Sequence, residues 1–97
     1  MSDTPNEEVF YKKLKIQLIE TNTWPSEYLY KFIVLSEGNR IQEVEGLFDN
    51  TGAVIKTTES KNGKYTSVSI NVVMKDPDAV ISKYIEVAAN IEGVISL

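Results

Sequence analysis

The sequence predicts an α+β fold in which a four-stranded antiparallel sheet carries two helices on one face. Three observations support this fold class. Segments 27–36 and 64–74 have the apolar and β-branched pattern of strands, with side chains alternating between two faces. Segments that begin near Arg40 and Pro77 instead repeat apolar residues every three or four positions, which is the period of a helix. A further strand precedes segment 64–74, and the Asn62-Gly63 dipeptide between the two favours a tight hairpin.

The first predicted element is a helix from Asn6 to about Thr21, which Asn6 can cap. Its apolar stripe recurs every four residues and therefore lies on one face. Because apolar and polar residues also alternate within the stripe, a strand stays open as an alternative. Pro25 ends the segment, since proline disfavours helical backbone in the residue before it. We therefore expect an N-terminal extension over residues 1–22 and one domain over residues 23–97. The stripe consists of Phe10, Leu14 and Leu18.

The strand at 27–36 is apolar on both faces, which is typical of the centre of a sheet. Its even-numbered residues point one way and its odd-numbered residues the other. We expect the even-numbered face to lie under the helices, together with Val68, Ile70 and Val72 of the hairpin strand. The even-numbered apolar residues are Tyr28, Tyr30, Phe32 and Val34.

The remaining elements give the order strand, helix, strand, strand, helix, strand. The first helix of this series spans about 40–49, and the second begins near Pro77 with Asp76 or Asp78 as its cap. Because strand–helix–strand crossovers are right-handed, this order folds into the ferredoxin-like βαββαβ sandwich with strand order 4-1-3-2. The other strands span 53–61 and 94–97.

Composition narrows the class of function. The 97 residues contain no Cys and no His, and their formal net charge is −4. Without these side chains there is no disulfide, thiolate metal site or Ser-His-Asp triad, and only carboxylate, Lys or Tyr chemistry stays open for catalysis. We predict a protein that is not an enzyme and needs no cofactor, with an enzyme built on Lys and carboxylates as the alternative. The start of the chain is polar and acidic, and no apolar run reaches the length of a membrane span. We therefore expect a soluble cytoplasmic domain without membrane contact, for which nucleic acid is an unfavourable partner.

A glycine hairpin followed by a tyrosine and alternating serine and valine occupies residues 60–69. The other recognisable positions are Pro25, Tyr30-Lys31-Phe32, and the Tyr84 helix with Val94 and Leu97 after it. On these positions, residues 24–97 resemble the YbeD-like family of small bacterial proteins of unknown function. The resemblance implies a domain similar to the ACT regulatory domains, which bind amino acids at subunit interfaces. It implies no active site, and it places Gly38 where ACT domains carry a glycine after the first strand.

The odd-numbered face of the first strand is the first candidate site. It combines large aliphatic side chains with the outward residues of the hairpin strand, and an open sheet face seldom exposes such a patch. We expect it to be covered by the N-terminal helix, by a second copy of the chain or by a partner protein. The predicted interface residues are Leu29, Ile33, Leu35, Tyr65, Ser67 and Ser69.

The loop after the first strand is the second candidate site. Backbone amides at a helix start can receive the carboxylate of a small metabolite, and an arginine can add a bidentate contact. The alternative is that this loop only turns the chain and caps the following helix. The predicted ligand-binding residues are Ser36, Gly38, Asn39 and Arg40.

These observations predict a regulatory or adaptor domain that acts as a homodimer, through a protein partner or by sensing a small metabolite. The alternative is a module that binds single-stranded RNA through the sheet. RNA-recognition motifs carry stacking rings at the position of Tyr65, and lysines of the hairpin add positive charge. These lysines are Lys56, Lys61 and Lys64.

Overall fold

The computed structural model describes residues 5–97, with side chains from residue 8 onward, and it contains three helices and four strands in this range. Their order along the chain is α1, β1, α2, β2, β3, α3, β4. The bounds are α1 Pro5–Thr21, β1 Ser26–Leu35, α2 Arg40–Gly46, β2 Val54–Glu59, β3 Tyr65–Met74, α3 Pro77–Asn90 and β4 Ile95–Ser96.

The four strands form one antiparallel sheet in the order β2-β3-β1-β4, which is the predicted order read from the other edge. The long strands β1 and β3 pair along their whole length, from Ser26 opposite Met74 to Leu35 opposite Tyr65. The hairpin between β2 and β3 turns at Asn62 and at Gly63, whose φ of 78° is readily adopted by glycine. The ferredoxin-like fold class is confirmed.

The core lies between the even-numbered face of the sheet and the helices. Tyr30, Phe32 and Val34 of β1 are buried, as are Val68, Ile70 and Val72 of β3, so the predicted inward face is correct. The Tyr30 hydroxyl donates to the carbonyl oxygen of Val80 at 3.0 Å, which joins the sheet to α3. The helices contribute Val44, Phe48, Val80, Tyr84, Val87 and Ile91 to this core.

Helix α1 is present as predicted, and the alternative of a strand is wrong. It packs against α3, with Leu18 buried in the core and Leu14 packed at its edge. The Trp24 indole donates to the carbonyl oxygen of Leu18 at 3.1 Å, and Lys15 pairs with Asp78 at 2.9 Å. This position lies on the helix side of the sheet, so α1 does not cover the outer face. Helix α1 also begins at Pro5, so Asn6 lies inside its first turn, and the Asn6 side chain falls outside the described part.

Several boundaries differ from the prediction for local reasons. Helix α2 ends at Gly46 instead of residue 49, because the next amides bond three residues back, as Phe48 does to Glu45. Asp76 is the cap of α3, since its carboxylate accepts from the Ala79 amide at 2.8 Å. In α3, Val87 is buried in the core, whereas Ile85 and Ala88 are exposed.

Candidate interaction surface on the outer face of the sheet

The outer face of the sheet is formed by the odd-numbered residues of β1 and β3, because side chains alternate along a strand. The register places these residues in rows across the sheet. Leu29 lies opposite Asn71, Lys31 opposite Ser69, and Ile33 opposite Ser67. Strands β2 and β4 extend the rows at the two edges, with Val54, Lys56 and Thr58 on one side and Ile95 on the other.

Apolar side chains lie at both ends of this face. At one end, Leu29 is 59% exposed and is joined by Val54 and Val73, each more than half exposed. At the other end, Ile33 and Leu35 are half-buried. They lie beside Tyr65, Ile95 and Leu97. No described segment of the chain packs over either end, so this apolar area faces solvent.

The row between the two apolar ends is positively charged. Lys31 and Lys56 flank Ser69 on neighbouring strands, and the spacing between strands puts their Cα atoms about 10 Å apart. Neither ammonium group forms an ion pair within residues 8–97. Glu27 lies on the same face at its far end, beside a shallow depression of about 360 Å³ that Lys56 and Asn71 also line.

All six residues predicted for the interface lie on this face, although that role stays a prediction. Sequence reasoning missed Val54, Val73 and Ile95, which extend the apolar area. Val73 continues the alternation of β3 and could have been found by that signal. Val54 could have been found from the register that the Asn62-Gly63 hairpin sets, whereas Ile95 depends on how the two-residue strand β4 pairs, for which the sequence has no turn signal.

In the loop after β1, the backbone conformation or hydrogen bonds within the chain explain most of the residues that were predicted to bind a ligand. Gly38 has φ 77°, and a Cβ there would lie 3.3 Å from Nη1 of Arg40. The Arg40 guanidinium donates to the carbonyl oxygens of Glu37 and Glu92, both at 3.2 Å. The hydroxyl of Ser36 is 2.7 Å from that of Thr66. Asn39 precedes α2 and makes no capping hydrogen bond through its side chain.

The four predicted ligand-binding residues do not line one pocket. Ser36 borders a depression of about 350 Å³ next to the hairpin, with Lys64 on its rim. Asn39 and Arg40 border another, of about 310 Å³, together with Glu43 and Glu92. The second depression therefore combines one guanidinium with two carboxylates, which disfavours an acidic metabolite. Ligand binding in this loop stays a prediction.

Metal and membrane sites find no support in the described part of the chain. Residues 5–97 bring together no group of three or more acidic side chains that could hold a metal ion. None of the helices in this range is long and apolar enough to cross a lipid bilayer.

The fold of this chain is similar to that of a known domain among the solved structures. The structure is similar to the crystal structure of the ACT domain from the GTP pyrophosphokinase of Chlorobium tepidum, with a TM-score of 0.51. The two share 10% sequence identity, and the alignment covers 74% of this chain and all of the ACT domain. At this identity the likeness concerns the fold alone. The fold is therefore ferredoxin-like and similar to that of an ACT domain, with α1 in addition.

A family profile matches residues 20–95, and the chain belongs to this family, described as protein of unknown function DUF493. The resemblance to the YbeD-like family is thereby confirmed, since the two families are the same. No curated protein matches the chain significantly.

Proposed function

We propose that this protein is a non-enzymatic regulatory or adaptor domain that acts by binding a protein partner on the outer face of its sheet. The observation that carries this proposal is the open apolar area around Leu29 and Ile33, on a face that no described segment covers. The ACT-like fold supports a regulatory role, and the absence of Cys and His from the sequence supports a role without catalysis. We place this role in the cytoplasm, as the sequence predicts.

Protein contact explains the face better than metabolite sensing does. An interface needs an apolar centre with a polar surround, and both apolar ends of this face meet polar rows of Ser, Thr, Asn and Lys. The loop predicted to bind a metabolite instead satisfies its own polar groups, since Arg40 bonds to two carbonyl oxygens of the chain. We therefore assign the regulatory contact to the sheet face.

A photo-crosslinking residue on this face tests the proposal. We would replace Leu29 by p-benzoylphenylalanine in the full chain and irradiate cells that naturally produce the protein. The matched control carries the same residue at Gln42, an exposed position of α2 on the opposite side of the molecule. We expect a discrete protein adduct from position 29 only. Val73→Glu should weaken this adduct at least several-fold, because burying a carboxylate in the interface costs binding energy.

Three outcomes would contradict a partner protein on this face. The first is identical adducts from the two positions, and the second is an adduct that Val73→Glu does not weaken. The third is an adduct that ribonuclease removes. This would favour the RNA-binding alternative through Tyr65, a residue that is 41% exposed and whose ring lies beside the Lys64 ammonium group.

A further inference from the structure

Helix α1 has apolar residues on both its buried and its exposed side. Tyr11, Leu14 and Leu18 pack towards α3 and the core. On the other side, Val9, Ile16 and Ile19 are half or more exposed, and Ile16 is 55% exposed. Exposed clusters of large aliphatic side chains in a folded protein mark interaction sites more often than chance. The side of α1 that faces away from the core is therefore a candidate interaction surface, with its apolar residues set among charged ones.

The charges beside this exposed side are arranged symmetrically. Lys12 and Glu20 lie four residues before and four residues after Ile16, so the three side chains form one row about 12 Å long. Both charged side chains are exposed, and neither forms an ion pair within residues 8–97. Lys15, in contrast, is already paired with Asp78.

We propose that α1 is the dimer interface of this protein, in which it packs antiparallel against α1 of a second copy with Ile16 at the twofold axis. In such a pair, a residue n positions before Ile16 faces the residue n positions after it in the other copy. Lys12 therefore faces Glu20 of the second copy, and Glu20 faces Lys12, which gives two opposite-charge pairs. The same symmetry places Ile19 against the aliphatic part of Lys13 of the second copy.

Charge complementarity selects a second copy as the occupant. A single row with a cation at one end, an anion at the other and an isoleucine between them complements itself when it is reversed. The outer face of the sheet lacks this property, because its central row holds two lysines and no carboxylate. Two copies of the outer face joined about an axis through this row would bring its lysines together, because the carboxylate of Glu27 lies at the far end of the face.

The test measures the mass of the full chain by sedimentation equilibrium over a range of concentrations. We expect a reversible dimer of twice the 10.9 kDa chain mass. Ile16→Glu should weaken dimerisation at least about tenfold, because it places two carboxylates at the axis. Phe10→Glu is the matched control. Phe10 is 61% exposed but lies about 120° round the helix from Ile16, so this change should leave dimerisation unaltered.

A charge exchange tests the pairing itself. Lys12→Glu and Glu20→Lys should each weaken the dimer, and the double variant should restore it to within about twofold, because each opposite-charge pair is then rebuilt. A monomer at every concentration up to about 1 mM would overturn the proposal. So would a dimer that Phe10→Glu weakens as much as Ile16→Glu, or a double variant that stays as weak as the single ones. None of these changes lies on the outer face of the sheet. A failure of the dimer proposal would therefore not alter the expected crosslinking result for that face.

Discussion

Tyr30 and Tyr84 place two phenol groups in the core of the molecule, and each hydroxyl has a defined partner. Tyr30 donates to the Val80 carbonyl oxygen at 3.0 Å, and the hydroxyls of Tyr28 and Tyr84 are 2.8 Å apart. Burial raises the pKa of both Tyr30 and Tyr84 above the ordinary value of a tyrosine, and the neighbouring Tyr28 adds to this effect. The fold therefore holds these two groups in their protonated form.

The raised pKa of these tyrosines predicts how stability depends on pH. A group whose pKa is higher in the folded state contributes fully below its unfolded pKa, about 10 for tyrosine, and loses that contribution as pH rises beyond it. We expect the free energy of unfolding, measured with urea, to fall steadily above about pH 10. Tyr30→Phe should roughly halve the slope, since one of the two groups is removed. The exposed control Tyr65→Phe should keep the original slope, and equal slopes for all three proteins would contradict the assignment.

At the scale of single elements, α3 begins where its local sequence indicates. Asp76 and Asp78 both flank Pro77, and the sequence did not distinguish which of them is the cap. In the structure, Asp76 accepts from the Ala79 amide, whereas Asp78 points to Lys15 across the surface. The carboxylate of Asp76 therefore caps the first turn of α3, whereas the carboxylate of Asp78 links α3 to α1.

Substitution of these two residues separates their contributions to stability. Asp76→Ala should lower the free energy of unfolding by about 1 kcal/mol, because it leaves an amide of the first turn without its acceptor. Asp78→Ala should cost only a few tenths of a kcal/mol, since an exposed ion pair contributes little. Urea unfolding of both variants at neutral pH checks this order. A larger loss from Asp78→Ala would mean that the contact between α1 and α3 matters more than the cap.

The elements also show what could be predicted from sequence and what could not. Strands β1 and β3 alternate strictly enough to reveal both faces of the sheet, and the Asn62-Gly63 turn sets how β2 pairs. The position of helix α1 could not be predicted, because the stripe of Phe10, Leu14 and Leu18 can pack on either face of the sheet. In the structure Leu14 and Leu18 pack against the core on the helix side, whereas Phe10 is exposed. The loop at Ser36 to Arg40 was predicted as one site, yet its residues border two depressions, since Arg40 turns towards Glu92.

Across the whole molecule, the exposed large apolar residues concentrate on two surfaces. Among residues 8–97, they lie either on the outer face of the sheet or on α1 and the adjoining Ile85 of α3. The backbone of the sheet and the core beneath it separate the outer face from the helices. These two surfaces are the ones on which we propose the contacts with a partner protein and with a second copy.

This separation predicts that the two surfaces act independently. Sites more than about 7–10 Å apart that share no partner usually contribute additively, within about 0.3–0.5 kcal/mol. We therefore expect Leu29→Thr to leave the dimer dissociation constant unchanged, and Ile16→Glu to leave crosslinking from position 73 on the outer face unchanged. In the double variant, the free energy of dimerisation should equal that of Ile16→Glu alone. A coupling clearly above 0.5 kcal/mol would contradict the independence of the two surfaces.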